Sequence, residues 1–226
     1  MSGATDKLNY YLSGNYYAQD GIVGGNFDRS NYKRLTLRSN NTYVLFDAKK
    51  DRNWLNGFTF GANLSYSKIN SRGISTNSEY GSPLGCALGF SPLLGIYEED
   101  EDAVFTKYAN VNNFTPVRDK SNGRIYTIAG SDFNEIVNPL AMLSLPGAKG
   151  NSDKIVTNFS GELNVWDNLK FKSSFGTDLA FWGNDSWTPV YYLGQSNKSD
   201  KSSVWSEMNR GFTWQLENTL TYDKKL

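Results

Sequence analysis

The chain has 226 residues, with 23 Lys and Arg balancing 23 Asp and Glu, and no histidine. Balanced charge leaves no basic footprint of the kind a phosphate backbone requires, so no nucleic-acid partner is expected. With 14 Tyr, 13 Phe, 6 Trp and 21 Gly, the composition favours strands and turns over helices.

The missing histidine removes Ser-His-Asp and Cys-His nucleophile arrangements and histidine metal sites. Carboxylates are plentiful, but no spacing fixes a pair as glycoside hydrolysis would need. The expectation is therefore a non-enzyme with no catalytic residue, no metal and no cofactor. Cys86 is the only cysteine, so no intrachain disulfide forms and it reads as a small packing residue. No window approaches the ~20 apolar residues of a membrane-spanning helix. The closest, Pro83 to Tyr97, is broken by two prolines and three glycines. The opening MSGATDKLNYY lacks a charged segment followed by an apolar one, so no signal peptide is read there. That leaves a cytosolic protein or a piece of something longer.

Period-two alternation marks six strands in chain order. The first, residues 8 to 18, puts Leu8, Tyr10, Leu12, Tyr16 and Ala18 on one face and Asn9, Tyr11, Ser13, Asn15 and Tyr17 on the other. The second, residues 32 to 46, sets Leu35, Leu37, Tyr43 and Leu45 against Arg34, Thr36, Arg38, Asn40 and Thr42. The third, FTFGANLSYS at residues 58 to 67, sets Phe58, Phe60, Ala62, Leu64 and Tyr66 against Thr59, Asn63, Ser65 and Ser67. The fourth, residues 155 to 166, sets Ile155, Phe159, Leu163 and Val165 against Asn158, Ser160, Glu162 and Asn164. The fifth, residues 169 to 181, sets Leu169, Phe171, Phe175 and Leu179 against Lys170, Lys172, Ser174 and Asp178. The sixth, residues 212 to 222, sets Phe212, Trp214, Leu216 and Leu220 against Thr213, Gln215, Glu217 and Thr219. Several of these runs are long beside the ~5–6 residues usual in globular sheets.

The connections alternate in length. Residues 19 to 31 join the first pair, 47 to 57 the second, and a very long stretch, about 71 to 152, the third. Asp167-Asn168 reads as a two-residue hairpin turn, and residues 182 to 211 precede the sixth strand. In an up-and-down sheet every second connection falls at the same end, so the long ones collect together, as in outer-membrane barrels. Trp54 and Trp166 fall by the short turns and Tyr16, Tyr17, Phe181 and Trp182 by the long ones, a placement that two membrane interfaces favour. Within the loops, Gly21 to Asn26 (GIVGGN) precedes no helix and is not a phosphate-binding signature. Glu98 to Asp102 (EEDED) reads either as a cation or polyol contact or as a solvated acidic tip. Asp119 to Gly123 (DKSNG) reads as a turn. Trp187, Tyr191, Tyr192 and Tyr97 are candidates to stack on sugar rings, the alternative being that they pack the loops together.

Two stretches carry a resemblance to a known family. NYYLSGNYYAQDGIVGGNFDRSNYKRLTLRSNNTY (residues 9 to 43) and GISTNSEYGSPLGCALGFSPLLGIY (residues 73 to 97), the latter followed by NPLA at 138 to 141, resemble the SusC/RagA family of TonB-dependent outer-membrane transporters. The resemblance covers essentially the whole chain. It implies an all-β chain of antiparallel up-and-down strands that forms part of a large transmembrane β-barrel, about 22 strands in the family, with long extracellular loops and no plug domain in residues 1 to 226. It further implies a place in the bacterial outer membrane and import of oligosaccharides or, in the RagA branch, peptides. The implied partners are a SusD-like surface lipoprotein, the TonB complex acting through a region absent here, and the lipid bilayer. On that reading Phe58, Phe60, Leu64 and Tyr66 face lipid, and Arg34, Arg38, Asn63, Lys170 and Lys172 face the lumen. The competing expectations are a passive porin or surface adhesin, and a soluble carbohydrate-binding β-sandwich.

Overall fold

The computed structural model describes residues 1–47, 54–166 and 168–223. Among the described residues nine strands form: β1 (Ser2–Ala4), β2 (Leu8–Asp20), β3 (Asn31–Phe46), β4 (Gly57–Arg72), β5 (Lys149–Trp166), β6 (Leu169–Thr188), β7 (Tyr191–Gly194), β8 (Asn197–Ser199) and β9 (Ser203–Tyr222). Three short helices lie in the long connection: α1 (Pro83–Gly89), α2 (Glu101–Lys107) and α3 (Pro139–Ser144). The six alternating runs of the sequence are β2 to β6 and β9, most of them longer than the pattern alone marked. The hairpin expected at Asp167-Asn168 and much of the 47 to 57 connection include residues outside the described set.

Seven strands pair antiparallel in the order β1-β2-β3-β4-β5-β6-β9, and β7 with β8 forms a separate two-stranded sheet. The large sheet is open. β1 covers only Asn9 to Tyr11 of β2, and β9 pairs along its 20 residues with β6 alone. A barrel closes only when its last strand finds its first, and here both edges stay apart. The expected all-β part of a transmembrane β-barrel is therefore replaced by an open sheet carrying a cap that contains helices. With the closed wall go the transmembrane description and the lipid and lumen sides that rested on it. No helix among the described residues is long and apolar enough to cross a membrane.

The alternation itself holds across the whole sheet, because residues directly opposite in an antiparallel ladder point to one side. Tyr43 stands opposite Phe60, and Phe159 opposite Phe175. The rings of Tyr43 and Phe60, of Phe60 and Phe159, and of Phe175 and Trp214 each lie 6.4 Å apart, so one aromatic row crosses five strands. Each such ring pair contributes about 0.5–1.5 kcal/mol beyond burial. The opposite face is polar. Asn40, Asn63 and Asn158 stand side by side, Asn158 Nδ2 donates to Ser174 Oγ at 2.9 Å, and Lys154 pairs with Asp178 at 2.7 Å.

The buried core does not lie between those faces. Every buried hydrophobic residue falls between Cys86 and Leu143 or at Tyr192 and Leu193. One cluster joins Cys86, Tyr126, Ile136, Val137, Ala141 and Leu193, and a second joins Val104, Ile128 and Tyr192. The sheet topology explains why these residues meet: the connections 21–30, 73–148 and 189–202 all leave the same end of the sheet. Together they build a cap with its own core.

Each helix of the cap starts where a side chain can satisfy its free N–H groups. Ser82 accepts from Gly85 N at 3.1 Å with Pro83 in the first turn, and Asp100 accepts from Ala103 N at 3.0 Å. Asn138 accepts from Leu140 N at 3.0 Å, with Pro139 next to it. Cys86 is fully buried, as its reading as a packing residue requires, and burial raises its thiol pKa.

Candidate functional site

The cap presents open cavities rather than one enclosed pocket. The four aromatic candidates do not converge on any of them. Trp187, half exposed at the end of β6, lines a cavity of about 540 Å³. Tyr191 and Tyr192 line a second of about 520 Å³, and Tyr97 a third of about 490 Å³.

Tyr97 is committed to holding the cap. Its ring stacks on Tyr126 at 5.3 Å, Arg124 sits over it at 4.7 Å, and its hydroxyl donates to Asp119 at 2.6 Å. Tyr192 is 4% exposed, packed by Tyr108 and Phe114, each with ring centroids 5.1 Å away. For these two the packing role dominates. Trp187 and Tyr191 keep accessible surface. Tyr191 donates its hydroxyl to Asn197 Oδ1 at 3.0 Å, and it is one of the residues lining the second cavity, with Asn110, Asn112, Asn113, Gln195 and Lys198. Side-chain amides around an aromatic ring supply donors and acceptors for hydroxyl-rich ligands.

The acidic run is spent on structure. Glu98 Oε1 accepts from Ile128 N at 2.7 Å, Asp100 caps α2, and Glu101 pairs with Arg118 at 2.9 Å, a contact that lowers the Glu101 pKa. Among the described residues no three Asp, Glu, Cys or His side chains cluster to hold a metal ion. The DKSNG stretch is a turn, as read: Asp119 Oδ1 accepts from the Ser121 N–H and hydroxyl, both at 2.7 Å, and Gly123 N donates to Asp119 O at 2.8 Å. The GIVGGN stretch is a loop ending in a single 3-10 turn.

The Tyr97 hydroxyl, followed by the Ser121 donors, holds the Asp119 carboxyl down at about 2. A depressed carboxylate contributes its full stabilisation above its unfolded pKa near ~4 and loses it as pH falls toward the folded value. Thermal melting of the cap is expected to weaken more steeply between pH 4 and 2 in the native chain than in Asp119→Asn. Parallel profiles for the two proteins would contradict the role given to Asp119.

Arg34, Arg38, Asn63, Lys170 and Lys172 all fall on the polar face of the sheet, as the register links them: Arg38 opposite Ser65, Asn63 opposite Asn158, Lys172 opposite Glu162. They form a shared surface, separate from the cap cavities.

Sequence reasoning missed the cations at the Trp187 cavity. Arg29, in the 21–30 connection, donates Nη1 to the Leu145 carbonyl, and Gly147 lies so close that a β-carbon there would sit 2.7 Å from the guanidinium carbon. Arg72, at the end of β4, pairs with Asp28 beside it, and Lys120 lines the same space. Burial first, and the charge of Arg72 second, lower the pKa of Arg29. Nothing in the spacing of these residues along the chain brings them together; the connections 21–30 and 73–148, with the ends of β4 and β6, do.

No family model matches the chain. It is 28% identical over 229 residues to the TonB-dependent receptor P3 of Formosa agariphila, covering 99% of this chain and 19% of that protein. Its fold matches part of the RagAB peptide importer, solved in an open-open state, with a TM-score of 0.62 at 18% identity, over 98% of this chain and 21% of that one. The chain thus spans about a fifth of the length of these proteins, 19% and 21% respectively. The chain is similar, at a distance, to one TonB-dependent receptor and shares the fold of one portion of the RagAB importer.

Proposed function

We propose that the chain is the ligand-contacting portion of a TonB-dependent importer of oligosaccharides at the bacterial outer membrane, working with a SusD-like surface lipoprotein. The observation that carries this reading is the amide-rich cavity of the cap. There Tyr191 and Tyr192 line one space with Asn110, Asn112, Asn113 and Gln195. Flat rings suit the C–H faces of sugars, and amides suit their hydroxyls. The distant likeness to a TonB-dependent receptor along nearly the whole chain supports the importer class.

A second reading is favoured by the open sheet and by the core held inside the cap. On it the chain is a carbohydrate-binding module that captures glycans without importing them. Both readings place the ligand at the cap, and they differ in what happens next. Titration with neutral oligosaccharides and, in parallel, with short peptides tests the shared step. Oligosaccharide binding that Tyr191→Ala weakens is the expected result; peptide binding alone would overturn it. Deleting the gene separates import from capture: glycan uptake lost while the cell surface still captures glycan supports import, and loss of surface capture supports the capturing module.

A further inference from the structure

The Trp187 cavity holds a cation that its surroundings leave short of acceptors. Arg29 spends Nη1 on the Leu145 carbonyl, and its Nε–H is buried with no hydrogen-bond partner. Among the described residues no carboxylate forms an ion pair with it. Asp28, the acid next to it in the chain, is paired with Arg72, and Asp119 on the same wall accepts from Tyr97 and Ser121. Arg72 and Lys120 line the same space together with Asp28 and Asp119, so with Arg29 the charged lining carries a net positive charge of one. A guanidinium held against backbone at Gly147 is fixed in place, so little side-chain freedom remains to be lost when an oxyanion docks. Trp187 stands on the rim with half its surface exposed.

We propose that this cavity binds the anionic group of an acidic oligosaccharide, a carboxylate or a sulfate ester, with Arg29 as its charged partner and Trp187 stacking on the sugar ring that bears it. This rests on the glycan reading above and narrows it from sugars in general to charged ones. Planar guanidinium and oxyanion match in geometry, and a hydrogen bond to a charged group is stronger than a neutral one. The polar wall at Tyr191 then receives neutral parts of the same chain, whereas the Trp187 cavity selects for charge.

The test titrates the full chain with oligogalacturonate, with its methyl ester as an uncharged equivalent, and with a sulfated galactan oligomer of the same length. The acidic forms are expected to bind about 10- to 100-fold more tightly than the ester, the span that a hydrogen-bonded charge supports. Arg29→Gln removes that advantage, and a Cys86 thiol that stays protected from reagent reports that the cap is still folded. Arg29→Lys restores part of the advantage, and Lys172→Gln, on the face of the sheet, changes nothing. Preference for oligogalacturonate or for the sulfated oligomer identifies the anion. Equal binding of acid and ester, or an acid preference that survives Arg29→Gln, overturns the proposal while leaving the glycan reading intact. Failure of all three saccharides to bind overturns both.

Discussion

Asn138→Ala is expected to destabilise the cap by about 2–4 kcal/mol, as the loss of a helix cap adds to the loss of a buried acceptor's partner. Asn138 is 3% exposed. Its Oδ1 accepts from Leu140 N at 3.0 Å and Ala141 N at 3.4 Å, and its Nδ2 donates to the Ile96 carbonyl at 2.9 Å. One side chain thus starts α3 and ties it to the segment before α2. Alanine leaves both N–H groups without partners inside the cap and takes from the Ile96 carbonyl one of its two donors, the Thr127 N–H at 3.0 Å remaining. Asn138→Asp separates the two effects, because it keeps the acceptor and loses only the bond to Ile96. About half the loss is expected, read as the shift in thermal midpoint between the three proteins. An aspartate variant as unstable as the alanine one would place the whole effect on the Ile96 contact.

Gly85→Ala is expected to be worse than its helical position suggests. In an exposed helix interior, replacing glycine by alanine stabilises by about 1 kcal/mol. Here the sign reverses. A β-carbon on Gly85 would meet the Ser78 carbonyl oxygen, with the Glu79 carbonyl oxygen at 2.8 Å and its α-carbon at 2.9 Å. All three are backbone atoms and cannot swing aside. Relief requires α1 to move away from the 78–79 turn, which disturbs Cys86, the next residue and a member of the main cap cluster. The cost is about 3 kcal/mol, at the upper end for overpacking. Denaturant unfolding followed by Cys86 thiol reactivity reads it directly, since the thiol is buried only while α1 is seated. Unchanged stability would show that the 78–79 turn yields easily.

The sheet was legible and the cap was not, for a physical reason. Strands such as FTFGANLSYS carry their two faces in the sequence, because side chains alternate whatever lies beyond them. Phe60 and Asn63 fall on opposite sides in the structure as the alternation requires. What the alternation does not encode is whether the two edges meet, and β9 and β1 do not. Closure depends on strands outside the pattern. Signals for the cap helices were nonetheless present: Ser82-Pro83, Asp100 followed by Glu101 and Asp102, and Asn138-Pro139 are all helix starts. Asp100 to Asp102, read within the acidic run as a cation or polyol contact or a solvated tip, instead start α2. The site was partly legible. The loop aromatics read as stacking on sugars or packing the loops, and all four line cavities, with Tyr97 and Tyr192 also stacked against neighbouring rings of the cap. Arg29 gave no local signal, since its environment is made by Gly147 and Leu145, more than a hundred residues away in sequence.

The most direct measurement is amide hydrogen exchange with and without a bound oligosaccharide, because it separates the cap from the sheet face in one experiment. Slowed exchange confined to residues 26–29, 110–121, 143–147 and 187–200, with β3, β4 and β5 unchanged, is the expected result. Protection centred instead on the polar rows of Arg38, Asn63 and Lys172 would move the binding surface onto the sheet and contradict the cap as the functional site.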